Sequence, residues 1–313
     1  MYDLIQEATV GVLQVRRISF DFSDGVPFAW NPANAEFSLT MNAISFIAIA
    51  FEKYIVAATK EAIPKIGDAG VAAEADSFLR QEAQHAAAHR QHLRALTAAY
   101  PGLQETVDAV LALYDELLAA KPLRYHLAYI ADLEAAFTPT FKLFLDHEDR
   151  LFRPGDERVA SLMLWHFTEE VEHRSSALRI YREFGGEAYR LWVLPSMIRH
   201  INRLLTVIAD GFNTHVPLAD RELDARVLLP AAGARRSLGG KVPSLLNGYD
   251  FPAEQYMDFI PKRERRLAGL RILRAQFPGH DPEHQPLPEF ADRWLARYDA
   301  GEPVAQWYSS AAR

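Results

Sequence analysis

The sequence predicts an all-α protein: a four-helix bundle with additional helices and an irregular C-terminal extension. Three observations predict it. Apolar residues recur with helical spacing over long stretches, and no strand-rich region or internal repeat is visible. Two stretches, Glu82–His85 and Glu170–His173, set a carboxylate and an imidazole three residues apart, which puts both on one helical face. Two other helical stretches each strand one acid, Glu52 and Glu134, among apolar neighbours.

The chain has 313 residues, enough to bury a full core. It reads as one domain over 1–313, with the core bundle at about 37–215 and the extension, 216–313, packed on it. Hydrophobic content of 49% and charged content of 24% are ordinary for a soluble globular protein. The net charge of -7 and the lack of a basic stripe argue against a nucleic-acid partner. There is no cysteine, which excludes disulfides, thiolate metal sites and a cysteine nucleophile. Any metal must sit on nitrogen and oxygen donors, which suits iron, manganese or zinc. The start, Met1–Glu7, has neither a basic cluster nor an apolar core. The most apolar run, Ala43–Ala58, is interrupted by Glu52 and Lys53 and is too short to span a bilayer. The expectation is a cytoplasmic protein with no membrane span.

Residues 1–36 read as an extended lead-in on the outside of the bundle, broken by Asp24-Gly25, Pro27 and Pro32. Asn31–Asn34 and Ser38 offer helix-start chemistry. The first helix, about Ser38–Lys60, is apolar nearly all round, the mark of a buried helix. Glu52 shares its face with Ala48, Ile49, Ile55 and Val56, so it must be paired, protonated or metal-bound. The plain alternative is a solvated edge with Lys53. The second helix, about Val71–Ala99, carries Glu82 and His85. His89 lies one turn on and reads as a hydrogen-bond partner of the site; Gln91 and His92 read as solvated.

A third helix, about Leu103–Ala120, carries no chemistry and reads as a crossover. Pro122 opens the next, about Leu123–His147. Glu134 stands there between Ile130, Ala131, Phe137 and Phe141, while Asp132 falls on another face, solvated or supporting the site. Pro139 removes one backbone hydrogen bond and predicts a kink. The helix over about Asp156–Phe184 carries His166, Glu170 and His173 on one face, with Gly185-Gly186 at its end. Glu169 is the rival of Glu170. Glu170 is preferred because it stands to His173 as Glu82 stands to His85. Glu172 points away, to solvent. A fifth long helix, about Glu187–Asn213, covers one side or forms a homodimer contact, with a bend expected at Pro195. Beyond Pro217 the chain is richer in Pro and Gly, with short helices near Ala253–Phe259, Arg263–Gln276 and Pro288–Tyr298. The run His280–His284 lies among prolines and reads as a surface loop.

One Glu-x-x-His on a helix is weak evidence. Two such pairs, each joined by a helix with one buried acid, are the ligand set of a ferritin-like di-iron or di-manganese carboxylate bundle. The order Glu52, Glu82, His85, Glu134, Glu170, His173 is the order of that bundle. His166 adds a nitrogen one turn before Glu170; its alternative is a core histidine bonded to a backbone carbonyl.

Phe20–Glu52, Gln81–His85 and Trp165–His173 resemble the bacterial family called predicted metal-dependent hydrolases, over most of residues 12–215. That resemblance implies a ferritin-like fold. The His-x-x-x-Glu-x-x-His pattern also resembles the p-aminobenzoate N-oxygenase group of di-iron oxygenases. It would put seven ligands here on Glu52, Glu82, His85, Glu134, His166, Glu170 and His173. The leading expectation is a di-iron oxygenase or oxidase that uses O2 and an electron donor on a small apolar or aromatic substrate, with manganese or zinc as other metals. The alternatives are a hydrolase working through metal-activated water and a non-catalytic metal-binding bundle.

Overall fold

The computed structural model describes residues 13–230 and 256–310. Regular structure there is helical, with no strand among the described residues. The long helices are α1 (Ala35–Ala62), α2 (Ala69–Ala99), α3 (Leu103–Ala120) and α4 (Leu123–Leu145). They are followed by α5 (Glu157–Glu172), α6 (Ser176–Arg182), α7 (Glu187–His215), α8 (Lys262–Ala275) and α9 (Glu289–Asp299). Side-chain caps start three of them. Asn34 accepts from the Phe37 amide, Asp68 from Val71, and Asp156 from Arg158 and Val159, each satisfying donors that a helix start leaves open.

Helices α1, α2, α4 and α5 pack around a common interior: α1 lies against α2 and α4, and α5 against α2 and α4. Helix α3 lies along α1, α7 covers α3 and α4, and α8 packs on α4. The segment Ala35–Lys65 is long and apolar enough to cross a membrane by composition, but 72% of its most apolar window is buried inside the protein. That burial is what a central bundle helix requires. The lead-in inserts Phe20, Phe22, Phe28 and Trp30 into the two apolar clusters that flank the interior.

Two sequence expectations need correcting. The helix drawn over 156–184 is two helices: α5 stops at Glu172, and His173, with ψ of 17°, begins a turn that leads into α6. Helix α4 continues on both sides of Pro139, and its Phe141 ring stacks on Phe167 at 4.0 Å. Of the short helix drawn over 253–259, residues 253–255 lie outside the described residues, and 256–259 form a turn. The other two short helices are present as α8 and α9. On α7, Trp192 and Ile198 are exposed, at 67% and 49%.

One glycine marks a close helix–helix approach. A Cβ on Gly211 of α7 would run into the Thr106 side chain of α3. Gly211→Ala should therefore cost about 1–3 kcal/mol, as overpacking of a filled core does, measured as a lower urea midpoint. An unchanged midpoint would show that Thr106 rotates away at no cost.

Candidate metal centre

One level of the common interior is rich in carboxylates and imidazoles. Glu52 comes from α1, Glu82 and His85 from α2, Glu134 from α4, and His166 and Glu170 from α5, with His173 at its C-cap. None of these seven residues is more than 4% exposed. Two groups form within the cluster, Glu52–His85–His166 and Glu82–Glu170–His173. In each, the donor atoms lie within 4.8 Å of one another, near enough to share one cation. Glu134 stands beside the second group, with Oε2 at 3.7 Å from His173 Nε2.

Glu170 joins the two groups. Its Oε1 lies 2.9 Å from His166 Nε2 and 3.7 Å from His85 Nδ1. Its Oε2 lies 3.1 Å from His173 Nε2. Glu82 Oε1 lies 3.2 Å from the same His173 nitrogen, and Glu82 Oε2 lies 3.9 Å from His85 Nδ1. Glu52 Oε1 lies 3.4 Å from His166 Nε2.

The donor chemistry fits two cations. Both oxygens of Glu52 and Glu82, one oxygen of Glu134, and His85 Nδ1 are buried without a hydrogen-bond partner. Such groups are costly unless something else satisfies them. No lysine or arginine is among the seven, so four carboxylates carry a formal charge of four that two divalent ions would balance. Each imidazole turns one nitrogen to this space and is gripped by the other, which fixes tautomer and ring orientation. His85 Nε2 is held by Glu169 Oε2 at 2.8 Å, and His173 Nδ1 by Gln81 Oε1 at 3.1 Å. His166 Nδ1 is held by His89 Nε2 at 2.8 Å. His89 Nδ1 continues to Ser45 Oγ, and Ser45 Oγ to His92 Nδ1, both at 2.9 Å.

Several supporting residues depart from what the sequence predicted. Both nitrogens of His166 meet side chains, so the reading of a core histidine on a backbone carbonyl gives way. His92 is fully buried rather than solvated, because Phe22 of the lead-in lies against its ring at 5.4 Å. Glu172 is only partly exposed and does not point to open solvent: with Glu169 it clamps Arg16, at 2.7 and 3.0 Å. Gln81 Nε2 donates to Glu172 Oε2 at 2.9 Å. Asp132 is buried away from the seven and pairs with Arg190 of α7 at 3.1 Å. Sequence reasoning missed Arg16, Ser45 and Gln81. Gln81 alone left a signal, its place beside Glu82. Glu283 of the expected surface loop binds Arg174 and Ser175, just past His173, at 2.6 Å each.

Burial dominates the proton affinities. It raises Glu52 and Glu134 well above the usual carboxylate range, and Glu82 above it, and neighbouring carboxylates push the same way. Burial alone would lower His85 and His173. Hydrogen bonds and charge from Glu169 and Glu82, and from Glu170 and Glu134, instead hold them well above the ordinary histidine value. Burial would raise Glu170, but His173 and His166 keep it well below its usual value. His166 is lowered to about 4 by burial and the charge on His85.

In the metal-free fold Glu52, Glu82, Glu134, His85 and His173 thus bind protons more tightly than in the unfolded chain, and Glu170 and His166 less tightly. A group raised on folding adds stability below its unfolded pKa and loses it as pH rises through the folded one. Divalent ions would take the place of those protons. The melting temperature of metal-free protein should thus fall as pH rises above about 6.5. The gap to metal-loaded protein should widen, on the order of 10 °C for tight binding. Thermal melts across pH with and without chelator check this; a gap that stays constant contradicts it.

A family model described as predicted metal-dependent hydrolase matches residues 14–251. No curated protein and no solved structure matches the chain.

Proposed function

The chain belongs to the predicted metal-dependent hydrolase family, and on that premise we propose that it is a dinuclear iron oxygenase or oxidase acting on a small apolar or aromatic substrate. The seven residues Glu52, Glu82, His85, Glu134, His166, Glu170 and His173 would hold the metals, with Glu170 between the two groups. Iron so held would supply redox chemistry with O2, given an electron donor. One observation carries the choice of chemistry: the four carboxylates are buried, and the ring of Phe141 lies 6.3 Å from that of His166. An apolar gas and an apolar substrate reach buried, apolar surroundings at less cost than a polar ester or phosphate, which must be desolvated. Glu169, the acid beside Glu170, is not free to serve hydrolysis, being bound to both His85 and Arg16.

The second reading is hydrolysis through metal-activated water, favoured by the family's description. Elemental analysis followed by anaerobic loading with ferrous iron and mixing with O2 separates the two. The oxygenase reading expects two irons per chain and rapid O2 uptake with a visible absorption change. Slow or absent uptake by iron-loaded protein, with ester or phosphate cleavage by zinc- or manganese-loaded protein, would replace it with the hydrolase.

A further inference from the structure

Helix α8 lies in the C-terminal extension, packed on α4. The protein as a whole is acidic, at -7, yet α8 reads Lys262, Arg263, Glu264, Arg265, Arg266, Leu267, with Leu270, Arg271, Leu273 and Arg274 following. Its inward face is small and buried at Ala268 and Ala275. The outward face is unusual for a soluble helix. Leu267 is 43% exposed, Leu270 63%, Leu273 57%, and Phe277 just past its end 51%. They recur every three or four residues and so form one stripe. Within about 100° of Leu270 around the helix, every charged side chain is Arg or Lys: Lys262, Arg263, Arg266, Arg271 and Arg274.

Among the described residues of the extension, four acids on or near this helix in sequence are engaged. Glu264 pairs with His147, Asp258 with Arg265, Asp281 with His284, and Glu283 with Arg174. At the C-terminal end of the helix, Arg271, Arg274, His280, Asp281 and His284 line a cleft of about 290 Å³, roomy enough for a phosphate headgroup.

We propose that the Leu267–Phe277 face of α8 docks the protein on the surface of an anionic lipid bilayer. Helix α8 has 14 residues, too few to span a membrane, and it lies flat on the fold. Leucines dipping into the acyl boundary with arginines at the phosphates is the arrangement of an interfacial helix. A second copy of the same face would bring like charges together, so self-association does not cover it. A soluble acidic partner would be held by the arginines and leave the leucine stripe in water.

The test uses the full chain and sedimentation with vesicles of phosphatidylcholine, with and without phosphatidylglycerol. Binding is expected only with phosphatidylglycerol and should weaken severalfold at high salt. The double variant Leu270→Glu, Leu273→Glu should bind at least tenfold more weakly while its melting temperature and circular dichroism stay unchanged. Arg266→Gln with Arg274→Gln, which adds no negative charge, should also weaken binding. No sedimentation with anionic vesicles overturns the proposal. So does full binding by a folded leucine variant, which would leave only electrostatic attraction of the kind a soluble acidic chain provides.

Discussion

Glu170→Gln should lower bound metal from two ions per chain to less than one, the largest functional loss expected of any single change. Glu170 turns one oxygen toward His166 and His85 and the other toward His173, more closely than Glu82, whose second oxygen stays 3.9 Å from His85. Removing a charged bridge leaves each group with one donor fewer and raises the repulsion between two cations that share a small space. Losing a residue that merely orients a ligand weakens metal sites by about 10–100-fold, and losing the bridge should exceed that. Metal content after dialysis, read beside Glu169→Gln, makes the comparison. Glu169→Gln should keep both ions with weaker affinity. A Glu170→Gln protein that retains both ions would remove the bridge from the assignment.

The largest structural loss is expected at Arg16. Its guanidinium is 3% exposed and meets Glu169 and Glu172, with the rings of Trp294 and Tyr298 at 6.0 and 5.4 Å. Arg16→Met keeps much of the volume but removes the guanidinium between Glu169 and Glu172, leaving Glu169 with His85 alone. Breaking a buried pair from one side costs about 3–5 kcal/mol; the partial exposure of Glu172 places this one at about 3. The loss should appear as a lower denaturant midpoint in the metal-free protein. It should also weaken metal binding, because Glu169 would no longer be held against His85. Loss of stability with metal affinity unchanged would separate the clamp from the centre.

The helices and the seven clustered residues were readable because both rest on local spacing. An acid amid isoleucine and phenylalanine, as at Glu52, is informative wherever the chain goes next. Two Glu-x-x-His pairs needed no knowledge of topology. What could not be read depends on partners far along the chain. Arg16 sits in an irregular lead-in with no periodicity, and its meaning comes from Glu169 and Glu172. His92 looks solvated by its helical position and is buried only because Phe22 lies on it. Asp132 looks free until Arg190 of α7 reaches it. The stop at His173 was hidden because the helical pattern of apolar residues runs on through Ala177 and Ile180 while the backbone turns.

The Arg16 clamp also bears on the order in which the molecule can be made. Arg16 meets a partner 153 positions later, and the Trp307 amide reaches back 146 positions to Ser161. During synthesis at about 5–20 residues per second, the lead-in must wait on the order of 10 s for α5 before it can close over His92. Contacts so distant carry a high closure entropy and form late in folding. Until α5 arrives, Glu52, Glu82 and Glu134 lack His166, Glu170 and His173, and remain open to water and to any divalent ion in the surrounding pool. Choice of metal would then be tied to timing: the ions held would be those present when α5 docks and the lead-in packs behind it.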